Sequence, residues 1–283
     1  MTRRPLSILP LAALLALLSF CGCRRHTEAE TLYRRAEQAF GEGAYSAAQR
    51  LIDSIPEVDA TAFTWIRRGT MLNQRIILEY NRRNLAYLDS ILPEVQREER
   101  KMASEFVPIF DPESLSDTLY CHFADRYAGR TDTCCLRMEF TVDGRARVSS
   151  VYCGKKPLRH ISAKAELPDG SYALTPTVPY DDARNYRFKR PDGRYSEVVC
   201  YTGRSLRPFV EIIATTGEKP IKISYAGEHP YSYYLSKENR RSFEKCYRYL
   251  YIKHRVRSLK QNKELAERTI ELLSRQLAEE NDW

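Results

Sequence analysis

Two long stretches of helical periodicity, separated by a middle region of a different period, set the frame for this 283-residue chain. From about Ala62 to Phe106, Leu78, Leu85, Leu88, Leu92, Val95 and Met102 recur at steps of three, four or their sum, which makes one narrow apolar stripe along a helix. Pro93 falls inside that stretch and predicts a kink, or a break with a new helix starting there. From Lys237 to about Glu280 the pattern returns, with Phe243, Tyr247, Leu250 and Tyr251 on one face, then Leu259, Ala266, Ile270, Leu273 and Leu277. No glycine or proline occurs from Tyr231 to the end. Two single-stripe helices flanking one intervening region predict an antiparallel pair, the second helix returning along the first.

Between them, period-two segments read as strands at 134–142, 146–153, 160–166, 195–202, 208–214, 219–225 and 231–235. Turn chemistry punctuates them at Asp143-Gly144, Pro168-Asp169-Gly170, Pro191-Asp192-Gly193, Thr216-Gly217 and Ala226-Gly227. Strands joined by short turns without intervening helices form an antiparallel sheet, here expected as a sandwich or partly closed barrel. The fold class is therefore α+β. The expected divisions are an export segment at 1–22, a helical hairpin at 23–61, a long helix at 62–106, an antiparallel β domain at 107–235 and a C-terminal helical segment at 236–283. Hydrophobic residues at 43% and charged residues at 29% are ordinary for a chain that folds, and exclude wholesale disorder.

The segment around Asp143-Gly144 is a hairpin, and its cysteines make its register matter. With a three-residue loop at 143–145, Phe140 lies opposite Val148 and Cys135 opposite Cys153; a two-residue loop would set Phe140 against Arg147 and pair Cys134 with Cys153 instead. The apolar match selects the first register, so Cys135 and Cys153 are the expected disulfide pair. Beyond Cys21 and Cys23 there are six cysteines, at 121, 134, 135, 153, 200 and 246, and Cys246, set among helical aromatics, stays open between a bridge and a core thiol.

The first residues give a different constraint. Arg3 and Arg4 precede an apolar run from Leu6 to Phe20 that ends in Cys21, Gly22 and Cys23. A charged start and a short apolar run make an export signal, too short to span a membrane. The junction resembles the lipobox of bacterial lipoproteins, in which a cysteine after a small residue is acylated and becomes the mature first residue. Cys23, preceded by Gly22, is the expected lipidation site, and Cys21 the alternative. The resemblance implies a membrane-tethered envelope protein. Arg24, Arg25 and His26 follow in place of an acidic cluster, which points to the periplasmic side.

After the anchor, Leu32, Ala36, Gly43, Tyr45 and Ala48 resemble a tetratricopeptide repeat, and Trp65 and Gly69 echo Leu32 and Ala36 as the start of a second one. Pro56 is expected to stop the second short helix. As a whole the chain resembles Bacteroidota-type lipoproteins that join an N-terminal helical part to a β-rich part.

Chemistry-bearing motifs are few. Histidines at 26, 122, 160, 229 and 254 are dispersed, and neither HExxH, GxSxG nor a phosphate-cradling glycine loop occurs, so no residue is assigned a catalytic role and no cofactor or metal is expected. Cys121, His122, Cys134 and Cys135 match no familiar zinc spacing, and Asp181-Asp182 reads as a solvated turn. The formal charge of +8 raises nucleic acid as a partner, but export argues against it, and basic residues are read as alternating with glutamates on solvated helical faces. Tyrosine is abundant, 19 in all; Tyr225, Tyr231, Tyr233 and Tyr234 serve packing first and, as a second reading, a groove for a glycan. The expected partners are thus a membrane through the anchor and an envelope protein, with a glycan as the alternative ligand and no nucleic acid.

Overall fold

The computed structural model describes residues 27–109 and 118–281. The expectations for the export segment, Cys21 and Cys23 fall outside those residues. The chain divides into two compact units, one formed by residues up to Ser90 together with those from Gln261 onward, the other by Ile91–Lys260.

The first unit is helical. Helix α1 covers residues 27–41, α2 is Tyr45–Val58, and α3 is Phe63–Ala103, of which the part up to Ser90 belongs here. Ala36, Ala48, Ile52, Leu72 and Ile76 form one cluster among these three helices, and Ala29, Ile55 and Ala62 a second. Gly69 lets α3 pack tightly on α2: a Cβ there would lie 3.1 Å from Ile52 Cγ2 and 3.3 Å from Ile55 Cδ1. α2 passes through Pro56 and ends at Val58, because a proline in the last turn forfeits only one hydrogen bond. No second repeat follows Trp65 and Gly69, since α3 continues for 41 residues instead of turning back. The end of α5 (Lys237–Asn281) packs on α3 in this unit through Leu78, Leu273 and Leu277, with Lys263 Nζ 2.6 Å from Asp89.

The second unit holds the sheets. Strands β1 (Phe106–Ile109), β2 (Leu119–His122), β3 (Cys135–Thr141), β4 (Ala146–Gly154), β8 (Tyr195–Thr202) and β7 (Asn185–Lys189) form an antiparallel sheet in the order β1-β2-β3-β4-β8-β7. β5 (Ser162–Glu166), β6 (Tyr172–Leu174), β9 (Lys222–Ala226) and β10 (Tyr231–Tyr234) form another in the order β10-β9-β5-β6. One core joins Leu136, Met138, Phe140, Val199 and Tyr201 of the large sheet to Ala163, Ala165, Ile223 and Tyr225 of the small one. Helix α4 (Arg207–Thr215) adds Phe209, Val210 and Ile213, and the first half of α5 adds Phe243, Cys246, Tyr249, Ile252 and Val256. Val95 and Met102 of α3 join the same cluster, and Glu98 and Glu99 face Arg248 and Lys253 at 3.4 and 3.9 Å. Residue numbers fall along α5 as they rise along α3, so the expected antiparallel return holds in each unit. α3 runs through Pro93 without a break.

Three hairpins share one turn solution. Thr141 N–H bonds to Arg145 O, Leu167 N–H to Ser171 O, and Arg190 N–H to Arg194 O, each enclosing three residues that end in Asp-Gly. The third loop position must be left-handed, and Gly144, Gly170 and Gly193 occupy it with φ of 83–85°. That requirement corrects the first hairpin. A loop at 143–145 would have forced Arg145 into the left-handed region, so the loop is 142–144 and the ladder shifts by two: Phe140 pairs with Ala146, Met138 with Val148 and Cys135 with Val151. The inward face keeps its parity, but Cys135 and Cys153 are not partners, and all six cysteines of the described residues are free.

The segment 208–214, expected as a strand, is α4. Its β-branched content suits a strand, but Leu206, Phe209, Val210 and Ile213 sit at helical spacing, and Pro208 lies in the first turn where a missing N–H costs nothing. Strands β1, β2, β6 and β7 are additional to those expected. Replacing Gly69 by valine should cost about 1–3 kcal/mol by overpacking the α2–α3 contact, read as a lower urea midpoint at unchanged slope.

Candidate functional site: a basic cleft beside the C-terminal helix

A cleft of about 520 Å³ opens in the β-rich unit between the β3–β4 turn, α4 and the first half of α5. Its floor is apolar: Ala146 from β4, Leu206 and Val210 from the start of α4, and Leu250 from α5. Leu206 and Val210 are buried because they are also part of the core, so the floor is the outer skin of a packed interior and is held rigid by it. Tyr247 and Tyr251 form one wall; Tyr251 is 62% exposed.

The rim is cationic. Arg207, Lys253, Arg255 and Arg257 line the opening with His254, against a single carboxylate, Asp143. Arg257 donates to the Asp143 backbone carbonyl at 2.5 Å, tying α5 to the hairpin turn, and Gly144 sits against the stem of Lys253. The Asp143 carboxyl is held below the usual range by the Thr141 hydroxyl and by Arg145, so it stays charged and occupied by those neighbours. Tyr247 donates to Glu211 at 3.3 Å, and its hydroxyl is pushed up by burial and by that carboxylate. Arg207 lies 3.6 Å from the same Glu211. A cleft of this size with an apolar base and fixed positive charge at its lip suits a ligand that is both anionic and partly apolar.

Charge alternation does not extend to this part of α5. From Asn239 to Lys263 the helix carries Arg240, Arg241, Lys245, Arg248, Lys253, Arg255, Arg257, Lys260 and Lys263, with Glu244 as its one acid. That imbalance was the sequence signal for the cleft. Its location also needed α4, which the strand expectation had removed.

A second constellation lies inside the unit. Glu197 accepts from the backbone N–H groups of Leu158, Arg159 and His160 at 2.7, 2.8 and 3.1 Å, and from His160 Nδ1 at 3.0 Å. His160 Nε2 is 2.8 Å from Ser150 Oγ, which is 2.8 Å from Tyr201 OH. Serine, histidine and glutamate in this order resemble a hydrolase relay, but Ser150, His160, Glu197 and Tyr201 are each fully buried, and no substrate bond can reach Ser150. The chain of bonds is structural. Burial pushes the Glu197 carboxyl up, yet the His160 bond and the backbone donors outweigh it and hold the carboxyl below its ordinary value.

The tyrosines do not form an open groove. Tyr225 is 3% exposed, stacks on His160 at 4.8 Å and bonds through its hydroxyl to the Cys135 carbonyl at 2.7 Å. Tyr231 and Tyr233 share its inward face and are half-buried, whereas Tyr234, on the opposite face of β10, is 69% exposed. Three buried cysteines are held as thiols: burial pushes Cys121 and Cys135 up to about 12, and burial raises Cys200 despite Arg147 beside it. Asp181 caps its own loop, accepting from the N–H groups of Ala183, Arg184 and Asn185. Among the described residues no group of three or more histidine, cysteine or acidic side chains could hold a metal ion. No protein family matches the sequence, and no curated protein matches it.

Because the Glu197 carboxyl is lowered in the folded state, its contribution to stability is present above the ordinary glutamate value of 4.5 and is lost as pH falls through its depressed folded value. Glu197→Gln should cost about 1–3 kcal/mol at neutral pH, since an amide cannot accept from all four donors, and should flatten the acid limb of a stability–pH curve. An unchanged acid limb would assign acid sensitivity to other carboxylates.

Proposed function

We propose that this chain is a lipid-anchored envelope protein, facing the periplasm, that works as a non-catalytic binding module for another envelope protein. The observation that carries the reading is the basic cleft: its floor includes Leu206 and Val210 of the packed core, its cationic side chains stand at the opening, and it is complementary to an acidic segment with apolar residues. The cationic rim would steer such a segment, and the floor of Ala146, Leu206, Val210 and Leu250 would receive its apolar side chains. The buried relay around Glu197 belongs to folding and supplies no reaction step. The glycan reading has less support, since Tyr234 stands apart from the inward-facing Tyr225, Tyr231 and Tyr233. Among the described residues no helix is long and apolar enough to cross a membrane, so attachment rests on the lipobox resemblance and Cys23.

Two experiments test this. With a photo-crosslinking residue in place of Tyr251, envelopes of a native-like host should yield a discrete protein adduct. The double charge reversal Lys253→Glu with Arg257→Glu should weaken that capture about tenfold or more, and added salt should do the same to a lesser degree. Adducts to lipid alone, or capture unchanged by charge reversal, would overturn the protein-binding reading. For the anchor, intact mass of the purified mature chain should show acylation at Cys23, and Cys23→Ser should shift the protein from the membrane to the soluble fraction. Membrane retention by the serine variant would move the assignment to Cys21, and an unmodified soluble wild type would remove the anchor altogether.

A further inference from the structure

At the end of the β3–β4 ladder away from its turn, pairing stops with Cys135 opposite Val151, although β4 continues to Gly154 against β8. The same register would set Cys153 against Thr133. The Cys134 thiol takes that place instead: Cys153 N–H donates to Cys134 Sγ at 3.2 Å, and Cys134 Sγ donates to the Cys153 carbonyl at 3.4 Å. Cys134 and Cys153 are half-buried, whereas Cys121, Cys135, Cys200 and Cys246 are buried.

We propose that Cys134 and Cys153 form a disulfide when the chain meets a disulfide-bearing oxidant such as oxidised glutathione. The Cys134 thiolate attacks one sulfur of the oxidant, the S–S bond of the oxidant breaks, and one thiol leaves. The Cys153 thiolate then attacks Cys134 in the mixed disulfide and releases the second thiol, so two protein S–H bonds become one S–S bond and one oxidant disulfide becomes two thiols. Cys134 Sγ already contacts both the N–H and the carbonyl of Cys153, which sets this thiol beside the residue that it would join. Access selects this pair among the described residues, because the oxidant must reach a sulfur and Cys121, Cys135, Cys200 and Cys246 are buried. The bond would fasten the 123–134 loop to β4. That loop covers the outer face of the large sheet, where Tyr127 packs on Cys135, Val151, Val198 and Cys200, and Ser196 Oγ donates to the Thr131 carbonyl at 2.6 Å.

The pairing rests on sulfur geometry and not on where the chain resides, so it is tested on purified full-length protein. The protein is equilibrated in a mixture of oxidised and reduced glutathione, acid-quenched, alkylated and mapped without reduction. The expected result, among the six cysteines that follow Cys23, is a single linkage that joins the peptide containing Cys134 to that containing Cys153, with Cys121, Cys135, Cys200 and Cys246 alkylated. Cys134 and Cys135 share one tryptic peptide, so Cys135→Ser separates them: that variant should keep the linkage and Cys134→Ser should lose it. Alkylation of both Cys134 and Cys153 under oxidised glutathione, a glutathione adduct on Cys134 that never resolves, or a linkage to Cys153 that survives Cys134→Ser would each overturn the proposal.

Discussion

The buried carboxylate of Glu197 organises the crossover between the two sheets of the β-rich unit. Between β4 and β5 the chain leaves the large sheet and enters the small one, and it does so around Glu197, which gathers the N–H groups of Leu158, Arg159 and His160. Taking a charge out of water costs several kcal/mol, and these donors together with the imidazole offset it. Arg159, whose N–H is one of these donors, has a φ of 53°, in the left-handed region that non-glycine residues rarely adopt. The ordered loop then serves as a template: Ile161 N–H reaches the Ala226 carbonyl, Glu228 N–H reaches Leu158, and Asn185 Nδ2 spans His160 and Val178. With His160 fixed, Tyr225 has a ring to stack on and can direct its hydroxyl at the large sheet.

Helix α5 contributes two properties at once. Its buried residues, Phe243, Cys246, Tyr249, Ile252 and Val256, seal the core of the β-rich unit. Farther along, Ala266 is buried, and Leu273 and Leu277 pack on Leu78 in the helical unit. The remaining faces of its first half carry nine Lys or Arg residues between Asn239 and Lys263. Such a density of like charge opposes an isolated helix, and tertiary packing of the apolar stripe outweighs it. The cationic lip is therefore presented by a backbone that cannot move without opening the core.

Much of the architecture was legible because it follows from local rules. The α3 and α5 stripes needed one dominant period each, and the three Asp-Gly turns needed a left-handed third residue that glycine supplies. The inward parity of Leu136, Met138 and Phe140 survived a register error of two residues because side chains alternate with a period of two. Apolar matching favours a loop at 143–145, but the left-handed conformation of Gly144 decides the register. α4 was misread because Ile212, Ile213 and Val210 suit a strand, while the Leu206–Phe209–Val210–Ile213 spacing that makes it helical is short enough to overlook. The Glu197–His160–Ser150 chain joins residues from separate segments, and no local period marks it. The cleft was half visible: its charges stand in plain order along α5, but its floor exists only once α4 and the β3–β4 turn are in place.

The enclosure of the Glu197 cluster gives the molecule an internal clock. The Leu158, Arg159 and His160 amide protons and the proton on His160 Nδ1 are all donated to one carboxylate with no exposed surface. Of these, the Leu158 and His160 protons belong to buried residues and trade with solvent hydrogen when the crossover itself comes apart. Their common exchange rate measures how often the β-rich unit opens at its centre, undisturbed by fraying at helix ends or at the edge strands β1 and β7.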